Sequence, residues 1–231
     1  FNSQIYQSDD LNLSLKKEFN LKLSNHTLIL DFDRSRVPIL INSYSSNHFR
    51  FNNDFSNIET ANATYIVKHK NYSFKSSLTH YKDYIYLDRN SYYQQYQNAI
   101  INWQNKWTVN LNWKKFYTTQ ILEYQYTDNT SIIRFPEFNY TTSLWLESNL
   151  FDDNLNIQIG ANMNYFTSYY AKAYNPALAK FHLQDSQLIG DVPLLSAFLK
   201  LKVHNMFIAM RYSNITSLIS ANADVYYLIP N

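Results

Sequence analysis

Residues 154–165, with the sequence NLNIQIGANMNY, alternate between two kinds of side chain. Successive side chains of a β-strand point to opposite faces, so a period of two predicts an extended strand between two different environments. One face carries the apolar residues Leu155, Ile157, Ile159, Ala161, Met163 and Tyr165. The other carries the polar residues Asn154, Asn156, Gln158, Asn162 and Asn164.

The length of this pattern indicates where such a strand lies. Strands of soluble sheets usually have about 5 to 6 residues. A strand of about twelve residues, at about 3.3 Å each, extends roughly 40 Å. Tilted by about 40°, it rises about 30 Å, which is the thickness of the hydrocarbon core of a membrane. We therefore expect the apolar face to contact lipid and the polar face to line a wet lumen.

A second segment shows the same alternation and adds tryptophans. In residues 99–113, AIINWQNKWTVNLNW, one face carries Ala99, Ile101, Trp103, Trp107, Val109, Leu111 and Trp113. Ten residues separate Trp103 from Trp113, a span of about 33 Å along a strand and about 25 Å along the membrane normal. This is the separation of two aromatic girdles at the membrane surfaces. The alternative is that the tryptophans fill a soluble core, since Trp107 lies at neither edge.

Further segments follow the pattern and predict about ten long strands. LSAFLKLKV and MFIAMRY are joined at His204 and Asn205, which predicts a short hairpin turn. In a transmembrane β-barrel such short turns lie on the periplasmic side. The other predicted strands are LNLSLKKEFNLKLS (11–24), TLILDF, ATYIVKHKN, YSFKSSLTHYKDYIYL (72–87), QILEYQYT and TTSLWLES. No helix longer than a turn or two is predicted.

The alternation assigns candidate residues to two environments, lipid and a water-filled lumen. The residues predicted to face lipid or form the girdles are Trp103, Trp113, Leu155, Ile157, Ile159, Met163, Leu199, Leu201, Ile208 and Met210. The residues predicted to face the lumen are Glu147, Asn156, Gln158, Asn162, Lys200, Lys202 and Arg211. A lumen solvates charged groups, whereas lipid penalises them by about 2 to 4 kcal/mol at mid-depth.

The composition excludes several classes of protein. The 231 residues are 45% hydrophobic and 16% charged with a mean hydropathy of −0.41, and no apolar run reaches the length of a membrane-spanning helix. Because there is no Cys, neither disulfides nor thiolate metal sites are expected. A net charge of +2 gives no basis for nucleic-acid binding. The sequence has only two Gly residues, which excludes a Gly-rich phosphate-binding loop.

No pattern of residues predicts catalysis, a metal site or a cofactor. The six His residues show no ligand spacing. Asp152 and Asp153 resemble paired carboxylates, but they lie in LFDDNLN, which is a turn composition. An enzyme built on a barrel is therefore the weaker hypothesis.

Three irregular segments, 44–55, 131–138 and 169–199, are predicted to be loops. Residues 46–49 (SNHF), 53–55 (NDF), 134–138 (RFPEF), 174–178 (YNPAL), 181–184 (FHLQ) and 189–194 (IGDVPL) occur in this order. In these residues, and in residues 81–88 (YKDYIYLD), the sequence resembles the putative porin family of outer-membrane β-barrels of the Bacteroidetes. The resemblance covers residues 37–213. It implies an antiparallel transmembrane β-barrel in the outer membrane of a Gram-negative bacterium.

The resemblance also leads to expectations about organisation and partners. We expect residues 1–231 to form a single outer-membrane β-barrel domain. Family members are longer and carry a signal peptide, and their barrels end on a strand with a terminal aromatic residue. Because this sequence starts at Phe1 and ends in YYLIPN, we expect a C-terminal portion of a larger barrel without its last strand. The expected partners are outer-membrane lipid, other outer-membrane proteins and small solutes, with no nucleic acid.

Three functions remain open from the sequence. The first is a porin that allows passive diffusion of small solutes through a hydrated pore narrowed by loops. The second is a non-conducting barrel that serves as a structural subunit of a larger outer-membrane secretion or uptake complex. The third is a soluble β-sandwich that serves as a binding module.

Overall fold

The protein is all-β, and most of it forms one antiparallel sheet. The computed structural model describes residues 2–6, 10–152 and 154–216. The eleven strands of the main sheet are β1 Asn2–Tyr6, β2 Asp10–Leu21, β3 Ser24–Ser35, β6 Ile58–His69, β7 Tyr72–Lys82, β10 Ile100–Trp113, β11 Phe116–Thr127, β12 Phe138–Leu150, β13 Leu155–Phe166, β18 Leu194–Val203 and β19 Met206–Ser213.

The strands of the main sheet pair in their order along the chain, and β1 and β19 form the two edges of the described sheet. Ten of the eleven strands have eight or more residues, which confirms the predicted number of long strands. Eight of them have eleven to fourteen residues. This is about twice the length usual in soluble sheets.

Connections alternate between the two ends of the sheet. Two-residue turns join β2 to β3, β6 to β7, β10 to β11 and β18 to β19, and a four-residue turn joins β12 to β13. Long connections, residues 36–57, 83–99, 128–137 and 167–193, join β3 to β6, β7 to β10, β11 to β12 and β13 to β18. In an antiparallel meander successive connections lie at opposite ends, so all short turns share one end and all long connections share the other.

The long connections contain short elements of their own. They are α1 Ile39–Asn42, β4 Ser43–Ser45, β5 Arg50–Asn52, β8 Tyr84–Leu87, β9 Tyr93–Tyr96, β14 Tyr169–Tyr170, β15 Ala173–Asn175, β16 Lys180–His182 and β17 Leu188–Ile189. The pairs are β4 with β5, β8 with β9, β14 with β17 and β15 with β16. The expectation that segments 44–55 and 169–199 contain no strands was therefore wrong, because these segments form small sheets and 169–199 extends into β18.

Two predicted strands also end earlier than expected. The predicted strand 11–24 contains a hairpin turn at Lys22 and Leu23, where Lys22 has a φ of 38°. The predicted strand 72–87 is divided between β7 and β8 at Asp83, which has a φ of 56°. Both residues adopt the left-handed region, which Lys rarely occupies and Asp tolerates, so the identity of Lys22 gave no sign of a turn.

The few fully or nearly buried apolar side chains lie at the long-connection end. They are Val37, Phe51, Leu87, Ile100, Ile132, Leu183 and Ile189. Phe51 is 5% exposed and its ring packs 5.3 Å from Tyr93 and 5.7 Å from Tyr44, measured between centroids. The hydrophobic packing is therefore concentrated among the long connections, and none of the described elements forms a second layer against the middle of the sheet.

Candidate functional site: the two faces of the sheet and the loop assembly

The register of the strands separates the main sheet into an apolar face and a polar face. Residues directly opposite each other in an antiparallel pair project to the same side. Ile157 of β13 is opposite Ser148 and Leu201, and Leu201 is opposite Ile208 of β19. We define the apolar face as every second residue of the ten long strands, in register with Ile157. The polar face is the set of alternate residues, in register with Gln158.

The apolar face is exposed along the sheet. Among the described strands of the main sheet, Phe207 is the sole exposed large apolar side chain outside this face. Ile159 is 55% exposed, Met210 53% and Trp113 72%. Large exposed apolar surfaces of folded proteins mark sites of contact with another molecule or with lipid.

All ten residues that the sequence assigned to lipid or the girdles lie on the apolar face. They are Trp103, Trp113, Leu155, Ile157, Ile159, Met163, Leu199, Leu201, Ile208 and Met210. Trp103 lies near the long-connection end of β10 and Trp113 at its short-turn end. Their contact with lipid stays a prediction, but the structure brings them onto a common surface.

All seven residues that the sequence assigned to the lumen lie on the polar face. Glu147 is opposite Gln158, which is opposite Lys200, and Asn156 is opposite Lys202. Five of the seven line one cavity of about 480 Å³, and these are Glu147, Gln158, Asn162, Lys200 and Arg211. Asn156 contributes indirectly, because its amide Nδ2 donates to Glu147 Oε1 at 3.0 Å. Lys202 does not line this cavity.

The same cavity contains aromatic residues that sequence reasoning missed. Tyr117, Trp145 and Phe198 line it from the polar face. The alternation in TTSLWLES and LSAFLKLKV already places Trp145 with Glu147, and Phe198 with Lys200. An aromatic residue on the otherwise polar side of a strand is the signal that could have identified them.

Hydrogen bonds link neighbouring strands across the polar face. Thr64 Oγ1 lies 2.9 Å from Ser77 Oγ, and Ser77 Oγ donates to Asn62 Oδ1 at 3.0 Å. Further along the sheet, Lys106 Nζ and Glu123 Oε1 form an ion pair of 2.7 Å. These side chains supply hydrogen-bond partners for one another. Polar groups that are only partly hydrated require such partners.

Three long connections associate at their end of the sheet, and we call residues 83–99, 128–137 and 167–193 the loop assembly. Its centre is Arg134, whose side chain is 6% exposed. Arg134 Nη2 lies 2.6 Å from Asp185 Oδ1, and Nη1 donates to the carbonyl oxygen of Gln184. Asp185 also forms an ion pair with Arg89. One carboxylate therefore connects all three loops.

The electrostatics of this cluster favour the charged carboxylate. The hydrogen bond from the Arg134 guanidinium holds the pKa of Asp185 below its usual value. Partial desolvation opposes this effect, while the hydrogen bond from Arg89 adds to it. Ion pairing with two guanidinium groups stabilises the ionised form.

Additional hydrogen bonds stabilise the loop 167–193 and join it to the loop 83–99. The amide of Gln184 donates to the carbonyl oxygen of Gln187 at 2.8 Å, and its Oε1 accepts from the N–H of Gln187 at 2.7 Å. Asn175 Nδ2 donates to Ser91 Oγ at 2.8 Å, a contact between residues 84 positions apart. These bonds come from the FHLQ and YNPAL segments.

The loop assembly lies against the polar face. A cavity of about 400 Å³ is lined by Arg134 and Lys172 from the loops and by Asn139, Asn164 and Phe166 from the polar face. The loops therefore cover the polar side of the sheet at this end.

An enzyme or a helical membrane protein would have characteristic features of its own. Asp152 lies in the turn between β12 and β13, and Asp153 lies outside the described residues. Within residues 10–152 and 154–216, no group of three His, Asp or Glu side chains is placed to hold a metal ion. No helix in the described part of the chain is long and apolar enough to cross a membrane. The terminal YYLIPN segment also lies outside the described residues.

The sheet thus defines a class of protein: an all-β chain of long antiparallel strands with one exposed apolar face and one polar face. Comparison with protein families then assigns it further. A family model described as "Putative porin" matches residues 1–231, and the chain belongs to this family. No curated protein matches the sequence.

Proposed function

We propose that this protein is an outer-membrane β-barrel of a Gram-negative bacterium that allows small solutes to diffuse passively through a hydrated pore. The observation that carries the proposal is the two-sided character of the sheet, which the register maintains from β2 to β19. Membership of the porin family supports the same function. In this arrangement the apolar face contacts lipid and the polar face surrounds the pore.

The open edges of the sheet explain why a closed barrel is proposed. Strands within the hydrocarbon core must have every backbone N–H and C=O paired, because no water is present to satisfy them. β1 and β19 are the edges of the described sheet. Pairing of these edges, with each other or with further strands, closes the barrel and removes the unpaired groups.

The connections give the barrel an orientation. Outer-membrane barrels have short turns on the periplasmic side and longer loops on the outer side. We therefore assign the turns at Lys22, Lys114 and His204 to the periplasm and the loop assembly to the cell exterior. This assignment makes the loop assembly the outer entrance of the pore.

The loop assembly is the proposed constriction. Its ion pairs through Asp185 and its shared cavity with Asn139 and Asn164 support a position over the polar face. Loops held by buried polar contacts narrow a pore more reproducibly than mobile loops. We expect solutes to pass beside the loop assembly.

Two measurements test the proposal. A closed barrel resists unfolding in detergent, so the unheated protein should migrate faster on a gel than the heated protein. Liposomes that contain the protein should then swell in isosmotic solutions of small sugars and not in solutions of large polymers. Identical migration with and without heating would contradict the barrel, and no swelling with any solute would contradict the pore.

A second function has support from the same loops. The dense bonding of Gln184 and Arg134 is also compatible with a closed lumen. In that case the barrel is a structural subunit of a larger outer-membrane complex. Heat-dependent migration without swelling or conductance is the result that this second function predicts.

A further inference from the structure

An aromatic row crosses the polar face at right angles to the strands. Tyr117 is opposite Trp145, Trp145 is opposite Gly160, and Gly160 is opposite Phe198. The rings of Tyr117 and Trp145 are stacked, with centroids 5.5 Å apart and planes 9° apart. Four adjacent strands, β11, β12, β13 and β18, therefore contribute to one continuous row.

Gly160 allows this row to form. A Cβ atom at residue 160 would lie 2.6 Å from Phe198 Cζ and 2.7 Å from Trp145 Cβ, and it would also contact the carbonyl oxygen of Leu144. These separations are shorter than any van der Waals contact. The space above Gly160 is therefore filled by its two aromatic neighbours, which approach each other across a strand that has no side chain there.

The row is bordered by polar groups on both sides. One neighbouring row contains Glu147, Gln158 and Lys200, and the other contains Ser143 and Asn162. Arg211 is opposite Phe198 and donates from Nη2 to Ser196 Oγ at 3.3 Å. Lys200 Nζ lies 5.1 Å from the centre of the Phe198 ring.

Among the residues that the structure describes, the side chains of Gln158 and Lys200 form no hydrogen bond, and much of the hydrogen-bonding capacity at this border is unused. Glu147 binds the amide of Asn156 through Oε1. An amide offers two donors and a carbonyl acceptor, and a carboxylate offers two acceptor oxygens. The cavity of about 480 Å³ has the size of a small-ligand site and combines an apolar floor with a few polar groups.

A pyranose ring has the chemistry that matches this arrangement. Its C–H groups form an apolar face that packs on an aromatic ring, and its hydroxyl groups project outward from the ring, where each donates and accepts hydrogen bonds. Glu147 and Gln158 supply acceptors, while Gln158, Lys200 and Arg211 supply donors. Charges of both signs border the row, which favours a neutral ligand over a strongly charged one.

We propose that Tyr117, Trp145 and Phe198 form a saccharide-binding platform in the lumen, with Glu147, Gln158 and Arg211 binding the sugar hydroxyls. The proposal rests on the proposed function, because that function makes the polar face the wall of the pore. A stacking platform in a pore concentrates sugars locally and makes their passage saturable.

Calorimetric titration of the intact detergent-solubilised protein with maltose tests the platform. Maltose should bind, whereas sorbitol, an acyclic polyol with similar hydroxyl groups, should give no binding heat at the same concentration. Trp145→Ala should weaken maltose binding by about tenfold or more, as expected for the removal of a central aromatic contact. Trp103→Ala, which removes the same type of side chain from the apolar face, should leave the affinity unchanged.

The outcomes separate this proposal from the proposed function. Absence of maltose binding by the wild-type protein, or equal loss of binding in Trp145→Ala and Trp103→Ala, would overturn the platform. Phe198→Leu provides a second test if Trp145→Ala does not assemble, and it should also weaken binding. Ionic conductance of the wild-type protein is measured separately, so a conducting protein without maltose binding refutes the platform alone, and a silent one refutes the pore.

Discussion

Arg134 and Asp185 are 51 positions apart in the chain, and their side chains meet at 2.6 Å in the centre of the loop assembly. The guanidinium is almost fully buried, whereas the carboxylate is partly exposed and also pairs with Arg89. Two irregular segments, RFPEF and the one following FHLQ, are thus connected at the long-connection end of the sheet. This ion pair provides the most direct way to alter the proposed constriction.

Asp185→Asn should loosen the loop assembly. The substitution removes the charge that pairs with both Arg134 and Arg89, and it leaves a buried guanidinium without its carboxylate. We expect larger and more variable single-channel conductance, with little change in heat-dependent migration because the main sheet is unaffected. Asp54→Asn, in a different loop, is the matched control and should behave as wild type. Equal conductance of Asp185→Asn and wild type would show that the loops do not limit flow.

The same ion pair predicts a pH dependence. The pKa of Asp185 in the folded protein is lowered by its hydrogen bond from Arg134, whereas an unfolded Asp has a pKa of about 3.9. Its stabilisation of the loops is therefore fully present above about pH 4 and is lost as the pH falls through the lower, folded-state pKa. Conductance recorded from pH 7 downward should stay constant to about pH 4 and rise below it. In Asp185→Asn this rise should be absent, and an identical rise in both proteins would assign it to another group.

Neighbouring substitutions on β13 test the assignment of the two faces. Ile159→Arg places a charge on the apolar face, where burial in lipid costs about 2 to 4 kcal/mol near the membrane midplane. Gln158→Arg places the same charge on the polar face, where water solvates it. We expect poor assembly for Ile159→Arg and near-normal assembly for Gln158→Arg, as measured by the fraction that shows heat-dependent migration. Equal assembly of the two variants would refute the face assignment.

Gly160→Ala tests the close packing of the aromatic row. The added methyl group meets the Phe198 ring, Trp145 Cβ and the backbone of Leu144, so forced repacking should cost about 1 to 3 kcal/mol. The urea concentration at the midpoint of unfolding should fall accordingly. Ala161→Gly, the adjacent position on the opposite face, should cost less than about 1 kcal/mol. A midpoint for Gly160→Ala equal to that of wild type would mean that the row adjusts without strain.

The faces of the strands were predictable because alternation is a local property. Ile157 and Gln158 received their sides from the period of two alone, and the register agrees with those sides across the sheet. Asn105 departs from the pattern, because it is a polar residue on the apolar face and is only 4% exposed. Asn105 lies between Trp103 and Trp107 along the same face of β10.

The turn at Lys22, the break at Asp83 and the contacts within the loop assembly were not predicted from local patterns. Lys22 adopts a positive φ value although Lys does not indicate a turn, whereas Asp83 is a turn-favouring residue within an otherwise alternating segment. The contact of Arg134 with Asp185 depends on how three loops fold over one end of the sheet. Such long-range pairs have no periodicity, and the resemblance of the loop segments to a family did not show which of them meet.

Single-channel conductance of the intact purified protein in a planar lipid bilayer tests the central claim most directly. A hydrated pore predicts steady openings whose conductance rises in proportion to the salt concentration. A bilayer that stays silent, although heat-dependent migration and protease protection establish that the protein is folded and inserted, would contradict the pore and favour the structural subunit.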